Sequence, residues 1–150
     1  MTSEQKRILV VDDDGDIREL LATVLRQHDL TVDTAPDGVT ALQLVREQRY
    51  SVVLLDLFMP VVDGFQVLEA LKTEEMRAPV VLVVTGADRQ SIARVDATQI
   101  HGIVRKPFDP EELASLVVAC AELKGRGSFG PMAIATMISG AGMLHWLVRS

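Results

Sequence analysis

The chain has 150 residues, 48% hydrophobic and 24% charged, enough apolar material to bury a core and too much for a disordered or fibrous polymer. One cysteine, Cys120, excludes a disulfide framework and any multi-cysteine metal site. The net charge of −6 is uneven: residues 1–124 hold all 21 acids against 13 Lys and Arg, whereas residues 125–150 hold only Arg126 and Arg149.

An acidic main unit argues against the nucleic-acid backbone as a direct partner. The charge break near residue 125 divides the chain into a unit of residues 6–124 and a Gly-rich, apolar tail of residues 125–150. Met1 to Arg7 are polar and charged, unlike a secretory signal, so the cytoplasm is the expected location.

Ile8-Leu9-Val10-Val11 is a continuous apolar run ending in acids, the pattern of a strand buried on both faces. Ile17, Leu20, Leu21, Val24 and Leu25 then recur at helical spacing. Thr31–Thr34 reads as a second strand, Pro36-Asp37-Gly38 as a turn, and residues 38–48 as a second helix. Val52–Leu55 is a third buried strand, ending at Asp56. After a loop holding Met59-Pro60 and Asp63-Gly64 comes a helix carrying Phe65, Leu68 and Leu71. Val80–Val84 is a fourth strand, residues 88–98 a weak helix, and residues 102–105 a short fifth strand. Asp109-Pro110-Glu111-Glu112 opens the last helix with an acid at the N-cap, Pro at the first position and Glu at the third. Cys120 lies on its apolar stripe.

Five buried strands alternating with helices predict an α/β fold: a five-stranded parallel sheet, order 2-1-3-4-5, with helices on both faces. Ligands in such sheets bind beyond the carboxyl ends of the strands, at the point where the order reverses. The polar residues at those ends are Asp12-Asp13-Asp14, Asp56, Thr85 and Lys106. Three or more carboxylates in one crevice repel by energies on the order of several kcal/mol unless neutralised. A hard divalent cation is the natural remedy, Mg²⁺ first and Mn²⁺ as a substitute. Lys106 and the Thr85 hydroxyl add a positive charge and a hydrogen-bond donor. The set suits phosphoryl transfer, in which positioning and charge stabilisation do most of the catalysis.

These residues resemble the response-regulator receiver domain of two-component signalling, a CheY-like, flavodoxin-like fold. The likeness runs over residues 6–124. It is carried by Val10-Val11-Asp12-Asp13-Asp14 with Ile17-Arg18, by Leu55 to Gly64, by Thr85-Gly86 and by Lys106-Pro107-Phe108.

The resemblance implies that Asp56 is the phospho-acceptor, taking its group from a sensor histidine kinase or a histidine phosphotransfer protein and switching a downstream protein. It implies that Asp13, Asp56 and the backbone carbonyl of Phe58 hold Mg²⁺, with Asp12 acting through water or neighbouring ligands. Thr85 and Lys106 would contact phosphoryl oxygens, Gly86 would leave room beside them, and the Lys106–Pro107 bond would be cis. The chain would then be a phosphoprotein that catalyses only its own phosphoryl transfer and dephosphorylation.

Two departures stand out. The family's usual aromatic switch residue, three positions before the lysine, is Ile103 here. The positions two beyond Asp56 and Thr85 are the apolar Phe58 and Ala87, which predicts slow hydrolysis of the acyl phosphate.

Residues 127–148 carry no formal charge, and Ile134, Met137, Ile138, Ala141, Leu144 and Val148 keep helical spacing despite Gly140 and Gly142. A docking or dimerising helix is the expected role, giving a homodimer through the last helices or tail. The start of a lost output domain and a membrane contact rank behind it. With no output module following, the chain reads as a stand-alone receiver.

Two other classes compete. A receiver-fold binding module that no longer signals by phosphorylation is the first, because of Ile103. The second is a haloacid-dehalogenase-type phosphatase using Asp12 of Asp12-x-Asp14-Gly15. That enzyme needs a flap insert after the first strand and a later acidic pair, for which only Asp109, Glu111 and Glu112 remain; it also leaves Asp56 unexplained.

Overall fold

A computed structural model describes residues 6–59, 61–71, 78–86, 88–95, 100–125, 133–137 and 144–148. The strands β1 (Arg7–Val11), β2 (Thr31–Ala35), β3 (Val52–Leu55), β4 (Val80–Thr85) and β5 (Gly102–Arg105) lie in the order β2-β1-β3-β4-β5. All are parallel, with Ile8 paired to Val52, Val52 to Val80, and Leu82 to Gly102. The helices are α1 (Gly15–Arg26), α2 (Gly38–Glu47), α3 (Gly64–Leu71), α4 (Arg89–Ala93) and α5 (Pro110–Gly125). Of the weak helix expected over residues 88–98, only Arg89–Ala93 is helical, and residues 96–99 lie outside the described residues.

Why the strand sequences are apolar without alternation is visible in the two cores. Ile8, Val10, Leu54, Leu82, Val84 and Val104 face one side and pack with Leu21 and Leu25 of α1 and Leu113 and Val117 of α5. Leu9, Val11, Val53, Leu55, Val81 and Val83 face the other and pack with Ala41 of α2 and Val67 and Leu68 of α3. A two-residue side-chain period feeds both layers, so residues 8–11, 52–55 and 80–84 of the central strands are apolar at every position. Cys120 is part of the first core, where burial pushes its thiol up to about 11.

Helix starts are set by carboxylates accepting the free N–H groups of the first turn. Asp14 accepts from Asp16 and Ile17, Asp37 from Thr40, Asp88 from Ser91, and Asp109 from both Glu111 and Glu112. Asp109 therefore caps α5 as its sequence predicts.

Two glycines admit close backbone approaches that position the loop after β3. A Cβ on Gly64 would lie 2.4 Å from the Asp56 carbonyl oxygen, and one on Gly38 would lie 2.2 Å from that of Val62. Glycine alone fits there. The Gly64 N–H also donates to the Leu57 carbonyl at 2.9 Å, tying the start of α3 to the end of β3.

The tail departs from expectation. Where spacing predicts a helix, Ala133–Met137 (β6) and Leu144–Val148 (β7) are strands, and the sheet has seven members. β6 runs parallel to β5, with Ile103 opposite Thr136; β7 is antiparallel to β6, with Met137 opposite Leu144. Ile138 and Ala141, on which the helical spacing also rests, lie outside the described residues. The physical reason is a contest of backbone terms. Gly140 and Gly142 each cost a helix about 1 kcal/mol relative to Ala, while the edge of β5 offers unpaired N–H and C=O groups to an added strand. Among the described residues no helix is long and apolar enough to cross a membrane.

Gly64→Ala is expected to destabilise the fold by about 2–3 kcal/mol, the upper range for inserting a methyl where nothing yields. Gly86→Ala, whose Cβ would meet nothing within 4 Å, is the control and should be near neutral. Urea unfolding midpoints of the two variants check this.

Candidate functional site

The order reversal between β1 and β3 opens a crevice at the carboxyl end of the sheet, and the acids gather there. Asp12 follows β1, and its N–H bonds the Ala35 carbonyl. Asp56 follows β3, and its N–H bonds the Val11 carbonyl at 3.0 Å. Both ladders thus run one residue beyond their strands, which aims the two side chains into the same gap. Asp12 is 2% exposed, Asp56 6% and Thr85, at the end of β4, 1%, and they are the buried polar residues among those described.

Lys106, one residue past β5, reaches across the strand ends. Its Nζ donates to Asp12 Oδ2 at 2.7 Å and to Asp56 Oδ2 at 3.4 Å. Its own N–H bonds the Thr85 carbonyl at 3.0 Å, joining the ends of β4 and β5. The Lys106–Pro107 bond is cis.

The three successive aspartates do three different jobs. Asp12 is a buried ion-pair partner whose second oxygen accepts the Asp14 N–H at 2.9 Å. Asp14 caps α1. Asp13 is exposed, and its carboxylate stands with those of Asp12 and Asp56 so that one oxygen of each lies within 4.8 Å of the others.

Three anionic oxygens facing one ammonium leave a net negative site, and hard oxygen donors in that number fit Mg²⁺. Phe58 completes the loop side: its N–H donates to Asp56 Oδ1 at 3.3 Å. Ala87, the second apolar position singled out from sequence, lies outside the described residues, as does Pro60.

Burial raises the Asp56 carboxyl above the usual range and the Asp12 charge adds to this, while Lys106 and the Phe58 N–H pull the other way. For Lys106 burial opposes the charge, but its hydrogen bond to Asp12 and the charges of Asp56 and Asp12 outweigh it and raise its pKa. The crevice thus holds a strained carboxylate beside a firmly protonated lysine.

Sequence reasoning missed what Arg18 does. Its Nη1 donates to the Asp12 carbonyl at 2.8 Å and so braces the acidic turn from α1. The available signal was a cation in the first turns of the helix, six residues after Asp12. The acids that a phosphatase reading requires are engaged elsewhere, Asp14 as the cap of α1 and Asp109 as the cap of α5. An open cavity of about 530 Å³ bounded by Val45–Tyr50, Ala70, Leu71, Ala78 and Pro79 lies at the opposite, amino end of the sheet, away from this chemistry.

The family model described as the response regulator receiver domain matches residues 8–118. Regulatory protein AtoC of Escherichia coli (strain K12) is 33% identical over 118 residues, which is 79% of this chain and 26% of that protein. The DNA-binding response regulator MtrA of Mycobacterium bovis is 35% identical over 119 residues, which is 79% of this chain and 52% of that protein. The chain therefore spans about a quarter to a half of these curated relatives. Among solved structures, a CheY-like response regulator receiver domain protein from Methanospirillum hungatei JF-1 matches with a TM-score of 0.75 at 22% identity, over 82% of this chain and 98% of that one. That likeness shows the shared fold.

A carboxyl raised in the folded state stabilises the fold below its unfolded value, near 3.9, and that contribution is lost as pH rises through the folded value. In metal-free protein Asp56→Asn should therefore be more stable than wild type at neutral pH. The gain should vanish as pH falls toward about 4. Urea unfolding in chelator across that range measures it, and a constant difference at every pH contradicts it.

Proposed function

The chain belongs to the response regulator receiver domain family, a family of phosphoacceptor regulators that kinases phosphorylate and that act on downstream effectors, and from that premise we propose that Asp56 is its acceptor. The observation that carries the proposal is the buried Asp56 carboxylate at the end of β3, with the Lys106 ammonium 3.4 Å away and the Asp12 and Asp13 carboxylates beside it. The acceptor unit is residues 6–124.

One oxygen of Asp56 attacks the phosphorus of a phosphohistidine on a sensor kinase or histidine phosphotransfer protein. The new O–P bond forms as the P–N bond breaks; the electron pair stays on that imidazole nitrogen and, with the other ring nitrogen already protonated, the histidine leaves as neutral imidazole. Asp13, Asp56 and the Phe58 carbonyl would hold Mg²⁺, with Asp12 acting through water or neighbouring ligands. When bound there, the cation stabilises charge on the transferring oxygens. Lys106 exchanges its Asp56 contact for a phosphoryl oxygen and keeps Asp12 as its anchor. The Thr85 hydroxyl takes another oxygen, and the open space over Gly86 receives the group. Arg18 keeps the acidic turn in place throughout.

The partners follow from the same reading: a kinase or phosphotransfer protein as donor and a downstream protein as target, met in the cytoplasm. MtrA is named as DNA-binding over a length of which this chain matches about half. For residues 6–124 we propose protein contacts, because that unit is acidic. Homodimerisation through the last helices or the tail belongs to the same proposal, and a phosphorylation-dependent change in mass by light scattering reports it. A second reading, a binding module on this fold that does not switch, is favoured by one observation. Ile103 is a partly buried aliphatic residue packed on the α2–α3 core.

Incubation with acetyl phosphate and Mg²⁺ should add one phosphoryl group by intact mass. The adduct should be absent from Asp56→Asn and abolished by chelator. An adduct that survives Asp56→Asn and disappears in Asp12→Asn would replace the acceptor reading with the phosphatase. Phe58→Asn should shorten the lifetime of the adduct about tenfold, one decade of rate for about 1.4 kcal/mol of barrier, by giving an attacking water a polar partner. Loss of the adduct with time, followed by mass, reads this.

A further inference from the structure

A modified Asp56 must change a surface to signal, and residue 103 offers no ring to do so. Two rings, Phe58 and Phe65, lie instead in the loop and helix that follow the acceptor. Phe58 is bonded to the Asp56 carboxylate through its own N–H. Its ring, 48% exposed, meets Phe65 of α3 edge to face, with centroids 6.5 Å apart and planes at 76°. The Arg94 guanidinium lies over the Phe65 ring, 5.2 Å from its centroid. Arg94 is the C-cap of α4, its N–H bonded to the Ser91 carbonyl at 3.2 Å. Both contacts have the geometry at which an aromatic quadrupole attracts a ring edge or a cation.

The two rings are held differently. Phe65 follows Gly64, which is pressed against the Asp56 carbonyl and bonded to Leu57, so its ring is referred to the rigid strand end. Phe58 is referred to the Asp56 side chain itself. Between them the loop passes through Val61 at φ 69°, a left-handed backbone that a β-branched residue rarely adopts.

We infer that Phe58, Phe65 and Arg94 form a relay through which modification of Asp56 repositions α4, in place of a switch at residue 103. The inference rests on the acceptor reading above and names how that site is read out. A phosphoryl group on Asp56 withdraws charge from the oxygen that accepts the Phe58 N–H and offers new acceptors further out. The Phe58 peptide follows them, its ring changes its contact with the edge of Phe65, and the cation over Phe65 is held differently in the two states. That difference between states is what a population shift requires.

The experiment is hydrogen–deuterium exchange over residues 89–95 of the full chain, with and without acetyl phosphate and Mg²⁺, with occupancy read by intact mass on the same samples. Wild type should show a phosphorylation-dependent change in exchange there, and Ile103→Ala should keep it. Arg94→Met, at an exposed position that leaves folding alone, and Phe65→Leu should reach the same occupancy. Their change in exchange should be reduced about two- to fivefold, the reach of a cation–π contact at a surface. Equal occupancy with an undiminished change in both variants would falsify the relay, as would a phosphorylated wild type whose α4 exchange does not change. A wild type that takes no phosphoryl group overturns the acceptor reading, and the relay with it.

Discussion

The Lys106 ammonium between Asp12 and Asp56 is the constraint around which the molecule is arranged. Two carboxylates at neighbouring strand ends, both almost fully buried, cannot stay ionised there alone. Removing the partner of a buried ion costs about 3–5 kcal/mol, a large part of the stability of a domain this size. The lysine that prevents this stands 94 residues from Asp12 and 50 from Asp56. It reaches them only because β5 lies beside β4, β4 beside β3 and β3 beside β1. Strand order is therefore an electrostatic requirement as well as a packing solution, and the neutralisation is incomplete. Three acids against one lysine leave a site that still attracts a cation.

The rest of the architecture keeps that arrangement stiff. Two apolar layers, one under α1 and α5 and one under α2 and α3, hold the strands in register. While the Phe58 peptide is tied to the Asp56 side chain itself, the two close glycine contacts hold the loop after β3 at Val62 and at Gly64. Arg18 does the same for the acidic turn after β1. Each brace acts on backbone and leaves the carboxylates to chemistry.

Phe58 joins the chemistry to the surface. Its N–H bonds the Asp56 carboxylate and its ring meets Phe65. In the relay proposed above its ring takes the part that the aliphatic Ile103 does not offer.

Much of this was legible from residues alone. Apolar runs of four or five, broken by Asp or Thr at one end, specify strands buried on both faces, because a two-residue side-chain period gives each face its share. Asp109 announces the start of α5, because capping is a bond between near neighbours in sequence. Such patterns are local, and so are the forces behind them. What remained for the tertiary structure was the division of labour among chemically identical groups, since Asp12 and Asp13 differ in burial and in the distant Lys106 partner. The contacts of Phe65 with Phe58 and Arg94 likewise have no periodic signature. The tail shows the limit most clearly. Ile134, Met137, Leu144 and Val148 fit a helix by spacing, yet two of its segments pair at a sheet edge. A weak helical pattern interrupted by glycines yields to backbone hydrogen bonds that only a neighbouring strand can provide.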